Sequence, residues 1–197
     1  MKIGQYQLYS IETSEFALDG GAMFGIIPKP LWEKKTPADQ NNRISMVTRS
    51  LLLVSDEHKI IVDTGNGTKW QEKFKNIYRI KLNNMNMERS LAKYGFIPGD
   101  ITDVYCTHLH FDHVGGNTKY VDGKLEPVFP NANYWIQSEN WKLANSPSEK
   151  DAGSFMSDDW NVLYENNMIK FVNGKESFLP GIDQLLTYGH TTGMMHP

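Results

Sequence analysis

Apolar segments divide the chain into a series of predicted strands. Residues 3–12 alternate between apolar and polar positions, and residues 43–54 and 59–63 are apolar and partly β-branched. Such segments are typical of strands, and the polar turn between the last two predicts a hairpin. The same reasoning predicts further strands at residues 101–106, 133–136, 168–172 and 182–188.

Predicted helices alternate with these strands. Residues 68–78 and 87–94 are helical in composition, and Gly95 is a favourable residue for ending the second helix. Shorter helices are predicted at residues 139–144, with Ser138 as N-cap, and at residues 158–166. Strands that alternate with helices predict a layered α/β fold.

Composition narrows the classes of protein to consider. The 197 residues suffice for one domain, and 40% hydrophobic with 22% charged residues is ordinary for a globular protein. A net charge of −3 without a dense basic stripe argues against a nucleic-acid partner. No apolar stretch is long enough to predict a membrane partner, and no signal peptide is predicted. A single cysteine allows no intrachain disulfide, which fits a reducing compartment, and we expect a cytoplasmic protein.

Potential metal ligands are concentrated directly after the strand predicted at residues 101–106. Three of the six histidines lie within six residues, at His108, His110 and His113. In extended chain, His108 and His110 point to the same side, because side chains alternate with period two. Asp112 and His113 are adjacent and follow a turn, so they can point at a second position. The spacing predicts two neighbouring metal sites at the C-terminal end of a strand.

The motif His108-x-His110-x-Asp112-His113 resembles the signature of the metallo-β-lactamase superfamily. In that family, the first two histidines and a distant third hold one metal, and the Asp and adjacent His contribute to the other. The segment Gly189–Gly193 resembles the family's Gly-His-Thr-x-Gly, which implies that His190 is the third ligand and lies close to the other two. The resemblance implies a four-layer αβ/βα sandwich, with Asp112 also a catalytic residue.

A carboxylate that supports the metal ligands is also predicted. Asp63 ends a strand within Asp63-Thr64-Gly65, where an Asp can be a simple turn former. The family carries Asp-x-Gly in the same relation to the histidine motif. The resemblance therefore implies that Asp63 accepts a hydrogen bond from a ligating histidine.

The segment 16–28 is apolar but broken by three glycines, so it predicts neither a good helix nor a clean strand. It could be a covered edge strand followed by a surface loop. Residues 20–25, with Trp32, resemble the subgroup of N-acyl homoserine lactonases and methyl parathion hydrolase. The resemblance implies a substrate pocket bordered by Phe24, Ile26 and Trp32.

Three histidines and an open coordination position predict hydrolysis by metal-activated water. The expected activity is that of a metal-dependent hydrolase of a small-molecule substrate, which is a lactone, an ester or a related compound, including a phosphoester. Two zinc ions are expected for a complete site, and iron or manganese also suit these ligands. An iron-dependent sulfur dioxygenase and an inactive metal-binding protein remain alternatives. Lactonase-type members often carry a histidine where this chain has Met194.

The end of the chain lacks ligands that the resemblance calls for. No Asp follows His190, and the only later histidine, His196, falls outside the family pattern. We therefore expect residues 1–197 to be the N-terminal part of a single metallo-β-lactamase-like domain, with most of the second half of the sandwich missing. A homodimer or a complementing C-terminal fragment is the expected partner.

Overall fold

A mixed seven-stranded sheet frames the structure, which is a computed structural model that describes residues 1–82, 85–175, 177 and 179–197. The sheet strands, in spatial order, are β1 (Lys2–Ile3), β2 (Tyr6–Asp19), β3 (Arg43–Val54), β4 (Lys59–Val62), β5 (Asp103–Tyr105), β8 (Asn133–Gln137) and β9 (Ile169–Val172). Neighbours from β1 to β4 are antiparallel, and those from β4 to β9 are parallel. The parallel strands bring their carboxyl ends to one edge of the sheet.

Two hairpin-like pairs lie outside this sheet. They are β6 (Thr118–Val121) with β7 (Lys124–Pro127), and β10 (Leu185–Thr187) with β11 (Met194–His196). Asp122 and Gly123 join the first pair, both with positive φ, at 49° and 79°. An Asp-Gly turn with positive φ at both residues matches the twist of a tight hairpin. The sequence contained this signal, but no strand was predicted there.

The helices are short and flank the sheet. They are α1 (Gly20–Phe24), α2 (Lys29–Trp32), α3 (Glu72–Tyr78), α4 (Met87–Ala92), α5 (Phe111–Val114), α6 (Ser138–Asn145) and α7 (Asn161–Glu165). Single 3-10 turns occur at Pro98–Asp100, Gly115–Asn117, Ala152–Ser154 and Ser157–Asp159. Within the described ranges, none of the helices has the length and apolarity needed to span a bilayer.

Both faces of the central strands are buried, which explains their continuous apolar sequence. Along adjacent strands, Leu52 and Ile61 face one core cluster, whereas Leu53, Ile60 and Tyr105 face a second. The first cluster includes residues of α4, α6 and α7, and the second includes residues from the loop before β10 and from β11. This arrangement fixes the ends of β4 and β5 beside each other.

The predicted α/β class is confirmed, and most strands agree with the sequence within a few residues. Residues 16–28 begin as a strand, in agreement with one of the two alternatives, because β2 continues to Asp19, but α1 follows directly where that alternative placed a surface loop. Asp19 caps α1 by accepting a 2.8 Å hydrogen bond from the backbone N–H of Ala22. Ser138 is the first residue of α6, and the N-cap is Gln137 instead.

Candidate metal centre

The candidate centre lies at the carboxyl end of β5. After Tyr105, the chain leaves the sheet as a loop that carries His108 and His110. His110 is the N-cap of α5, so Asp112 and His113 fall in the only turn of that helix. The loop after the strand therefore carries the first two histidines, and the short helix turns the next two polar residues toward a different position.

Glycines allow the loop after β4 to lie directly against α5. A Cβ added to Gly116 would lie 2.3 Å from the carbonyl oxygen of Thr64, and one added to Gly115 would lie 2.4 Å from that of Asn66. Only glycine fits so close to backbone at these positions. The backbone N–H of Thr64 donates to the carbonyl oxygen of His113 at 2.6 Å. The packing brings the β4 loop, including Asp63, beside the histidines.

Three histidines converge from segments that are far apart in sequence. Ligand nitrogens of His108, His110 and His190 all lie within 4.8 Å of one another. Nε2 of His190 is 3.1 Å from Nδ1 of His110, and the His190 ring is 5.0 Å from that of His108. His108 is buried and His190 is exposed, so the group opens from the core toward the surface.

The hydrogen bonds around His108 leave one of its nitrogens available. The Thr107 hydroxyl donates its single hydrogen to Oδ2 of Asp63 at 2.8 Å. Oγ1 of Thr107 can then only accept from Nδ1 of His108, which is 3.0 Å away. Nε2 of His108 thus carries a lone pair, and it is buried without a hydrogen-bond partner in the described structure.

His113 is held by two carboxylates. Its Nδ1 lies 2.7 Å from Oδ2 of Asp63, and its Nε2 lies 3.6 Å from Oδ2 of Asp112. Asp63 also accepts a 2.8 Å hydrogen bond from the backbone N–H of Thr107 at its other oxygen. Asp63 has a φ of 57°, in the left-handed region that Asp tolerates better than most residues. The His113 ring centroid is 4.0 Å from that of His108, so the two groups of candidate ligands adjoin.

The electrostatic environment shifts the pKa values of these histidines in different directions. Burial, reinforced by the neighbouring histidines, holds the pKa of His108 far below its usual value. Burial, followed by the effects of His190 and His113, lowers the pKa of His110 to about 4. Burial also acts to lower the pKa of His113, but the hydrogen bond and charge of Asp63, with the charge of Asp112, outweigh it and raise the pKa. His108 and His110 are therefore neutral near pH 7, as metal ligands must be.

These residues fit a divalent metal ion. Three imidazole nitrogens suit zinc and other transition metals of borderline softness. The buried, unpartnered Nε2 of His108 is a polar atom that such an ion would satisfy. The group formed by His108, His110 and His190 can therefore hold a divalent metal, with Asp112 and His113 beside it.

The residues predicted to border the substrate pocket form a separate group. The rings of Phe24 and Trp32 stack with centroids 4.8 Å apart, and Ile26 is fully exposed. Trp32 is buried against Gly20, where an added Cβ would lie 2.4 Å from the indole ring. Across the described part of the chain, no ring contact or hydrogen bond joins Phe24 or Trp32 to the histidines. Their role in a pocket stays a prediction.

The structure adds a neighbour that sequence analysis missed. The ring of Phe155 lies 4.9 Å from that of His110, and the two residues form an isolated β-bridge. The negative charge of Asp151 also acts on His110, to raise its pKa, but more weakly than burial acts to lower it. The local sequence carries no signal for these contacts, because they join segments more than 40 residues apart.

The other two histidines lie outside the group. His58 lies in the turn between β3 and β4 and is partly exposed, and its Nδ1 lies 2.9 Å from Oδ2 of the buried Asp103. His196 lies in β11, with Nε2 2.9 Å from Oγ1 of Thr187. Cys106 is buried next to the loop, as expected for a small core residue, and burial raises the pKa of its thiol.

Comparison with known proteins agrees with this arrangement. Residues 46–194 match the family described as the metallo-beta-lactamase superfamily. A solved structure of a probable metal-dependent hydrolase from Staphylococcus aureus superposes with a TM-score of 0.89 at 29% identity, covering 99% of this chain and 69% of that chain. Another, of a quorum-quenching N-acyl homoserine lactone hydrolase, superposes with a TM-score of 0.66 at 26% identity, covering 99% of this chain and 69% of that chain.

Sequence relatives are similar over a shorter stretch. An N-acyl homoserine lactonase from a Bacillus species is 27% identical over 103 residues, which is 52% of this chain and 34% of the relative. A Bacillus cereus protein of the same name is 28% identical over 103 residues, with the same coverage. The matched stretch thus spans about a third of the curated relatives.

Proposed function

Because the chain belongs to the metallo-beta-lactamase superfamily, we propose that it carries the metal centre of a metal-dependent hydrolase. The observation that carries this proposal is the convergence of His108, His110 and His190, whose ligand nitrogens lie within 4.8 Å of one another. His108 supplies a buried Nε2 atom with a lone pair, and the other two supply nitrogens nearer the surface.

We propose zinc as the resident ion, held by these three nitrogens. Zinc favours imidazole ligands in a tetrahedral set, and three protein ligands leave one position open. The chemistry that such an ion supplies when bound is activation of water near neutral pH, together with polarisation of a carbonyl or phosphoryl oxygen. The low pKa of His108 and His110 keeps both imidazoles neutral and ready to bind.

We assign a second, weaker metal position to Asp112 and His113. The Asp63 carboxylate accepts the Nδ1 hydrogen of His113, so Nε2, beside Asp112, is the nitrogen that would bind an ion once it has lost its own hydrogen. Because these two residues offer one nitrogen and one carboxylate, we expect a second ion to bind more weakly than the first. The proposed catalytic role of Asp112 is to take the proton of an attacking water at its carboxylate and return it to the leaving oxygen.

The proposed substrate is a neutral lactone or ester of modest size. The curated relatives are named N-acyl homoserine lactonases, and the similar stretch covers 52% of this chain. The apolar ring of Phe155 beside His110 suits an uncharged substrate better than a polyanion. A phosphoester could be hydrolysed by the same chemistry. We keep Phe24, Ile26 and Trp32 as the proposed wall of the substrate pocket.

The test begins with metal content. Wild-type protein, His110→Ala and the control His58→Asn are desalted, and zinc, iron and manganese are measured per chain. The control replaces a histidine outside the group by a residue whose amide can still donate to Asp103. We expect the wild type and the control to retain metal and His110→Ala to lose it.

Turnover is then measured on a panel of lactones, aryl esters and phosphotriesters. Hydrolysis by the wild type and control, lost in His110→Ala and after chelation, supports the proposal. Metal retention without turnover of any class would instead favour an inactive metal-binding protein. Iron retention with oxygen uptake on a persulfide would favour a sulfur dioxygenase. Full activity in metal-free His110→Ala would contradict the proposed mechanism.

A further inference from the structure

One buried amide connects the two segments that carry the candidate ligands. Asn140 lies in α6 and is 1% exposed. Its Oδ1 accepts a 2.9 Å hydrogen bond from the backbone N–H of Leu109, the residue between His108 and His110. Its Nδ2 is therefore directed away from that loop, toward the segment that follows His190.

On the other side, both donors of the same amide are used. Nδ2 of Asn140 donates to the carbonyl oxygen of Thr192 at 2.7 Å and to Oγ1 of Thr191 at 3.2 Å. The partners fix the orientation of the amide, because a flipped group would set its NH₂ against the N–H of Leu109 and its oxygen against a carbonyl. No other orientation satisfies all three neighbours.

The His190 segment also packs closely on the start of α6. Gly193 has a φ of +67°, and a Cβ added there would lie 3.0 Å from Cβ of Glu139 and 3.1 Å from the backbone nitrogen of Asn140. Beyond it, the backbone N–H of Met195 donates to the carbonyl oxygen of Thr107 at 2.9 Å. The helix is thus the common base on which both ligand segments rest.

We propose that Asn140 is a positioning residue that sets the distance between His190 and the pair formed by His108 and His110. It does not touch the ions, but its hydrogen bonds hold the backbone of Leu109, between His108 and His110, and reach Thr191 and Thr192, one and two residues after His190. The inference rests on the three-histidine metal site of the proposed function and not on hydrolysis. Residues that orient metal ligands typically contribute 10–100-fold to metal affinity.

Asn140→Asp is the informative substitution. It keeps the shape and the acceptor for Leu109, but replaces the donor by an oxygen that faces the carbonyl of Thr192. The matched control is Asn145→Asp on the same helix, since Asn145 is exposed and its Nδ2 donates to the carbonyl oxygen of Trp141, at 2.8 Å, within α6 itself. Both variants lose one amide donor and gain one negative charge.

The measurement is a titration of chelator-treated protein with Co²⁺ against a competing chromophoric chelator. We expect Asn140→Asp to weaken Co²⁺ binding by about 10–100-fold and to change the visible absorption of bound Co²⁺. Asn145→Asp should keep the wild-type affinity and spectrum. The melting temperature of each metal-free protein is also recorded, and the titrations are done well below it. A purely structural role of Asn140 would lower the melting temperature of the variant but leave its Co²⁺ affinity and spectrum unchanged.

A milder pair keeps the proposal testable if Asn140→Asp does not fold. Thr191→Val removes the hydroxyl that faces Asn140, whereas Thr192→Val leaves the backbone carbonyl in place. Weaker Co²⁺ binding in Thr191→Val than in Thr192→Val supports the proposal. Equal affinity and spectra in the wild type, Asn140→Asp and Thr191→Val would overturn it.

The outcomes also separate this proposal from the function. Wild-type protein that binds no Co²⁺ would refute the metal site and the positioning role together. Wild-type protein that binds Co²⁺ but hydrolyses nothing would refute only the hydrolase, and the affinities of the variants would still decide the role of Asn140.

Discussion

The two ends of β5 carry similar pairs of residues with different consequences. At the carboxyl end, Nδ1 of His113 lies 2.7 Å from Oδ2 of Asp63. At the amino end, Nδ1 of His58 lies 2.9 Å from Oδ2 of Asp103. Each pair joins a partly exposed histidine to a more buried carboxylate, so the pairs by themselves do not distinguish a metal site from a structural contact.

The surroundings make the difference. Asp103 accepts further hydrogen bonds from the Thr102 hydroxyl at 2.7 Å and the Trp135 indole at 2.8 Å, so both of its oxygens are used within the protein. At the other end, His108 and His110 approach His113, and the Nε2 atom of His108 has no hydrogen-bond partner in the described structure. A histidine–carboxylate pair thus indicates chemistry only where other ligands converge with unused lone pairs.

The largest effect should come from removing the buried ligand. We expect His108→Ala to weaken metal binding by more than about 100-fold, above the range for residues that merely orient a ligand. Metal content after desalting and Co²⁺ titration measure this loss. Unchanged metal binding would show that the carboxyl end of β5 is no more a metal site than the amino end.

A smaller loss is expected from Asp63→Asn. Asn tolerates the left-handed backbone at this position, so the change acts mainly through hydrogen bonds. The new amide NH₂ faces Nδ1 of His113 and favours the tautomer with hydrogen on Nε2, which removes the lone pair offered to metal. We expect binding of the second ion to weaken by about 10–100-fold. Isothermal titration calorimetry with Zn²⁺ measures this change. An affinity for the second ion equal to that of the wild type would argue against this role of Asp63.

At the amino end, His58→Ala should affect stability alone. Loss of the hydrogen bond to Asp103 leaves the Thr102 and Trp135 bonds in place, so we expect a destabilisation of about 1 kcal/mol. Urea denaturation gives the free energy of unfolding, and metal content is the control. A loss of metal in this variant would mean that the two ends are coupled, against the comparison made above.

The smallest effect is expected from Cys106→Ser, close to the centre. Cys106 is buried, and Nδ2 of Asn117 donates to its sulfur at 3.7 Å. A serine hydroxyl at this position can accept the same hydrogen bond. We expect metal content and turnover to match the wild type, with a modest drop in melting temperature. Loss of turnover with metal retained would indicate that the thiol takes part in the reaction.

Much of the frame could be predicted from the sequence because its signals are local. The apolar strands β3, β4 and β8 follow from composition and from their flanking turns, since burial on both faces requires continuous apolar residues. Local signals were a poorer guide for residues 16–28, where three glycines predicted an irregular segment. Pairing with β3 extended β2 to Asp19, which then capped α1, so tertiary contacts overrode local preference.

The sequence by itself predicted the candidate metal ligands near β5, because His108, His110, Asp112 and His113 lie within one window of six residues directly after a strand. The tertiary structure brings His190 to two of them, as the family resemblance implied. Only the tertiary structure decided that Asn140 connects their segments and that His58 pairs with Asp103. These contacts join residues 31 to 82 positions apart. Such contacts form only when packing of the whole sheet offsets the entropy lost in closing the intervening chain. A local sequence pattern carries no information on either quantity.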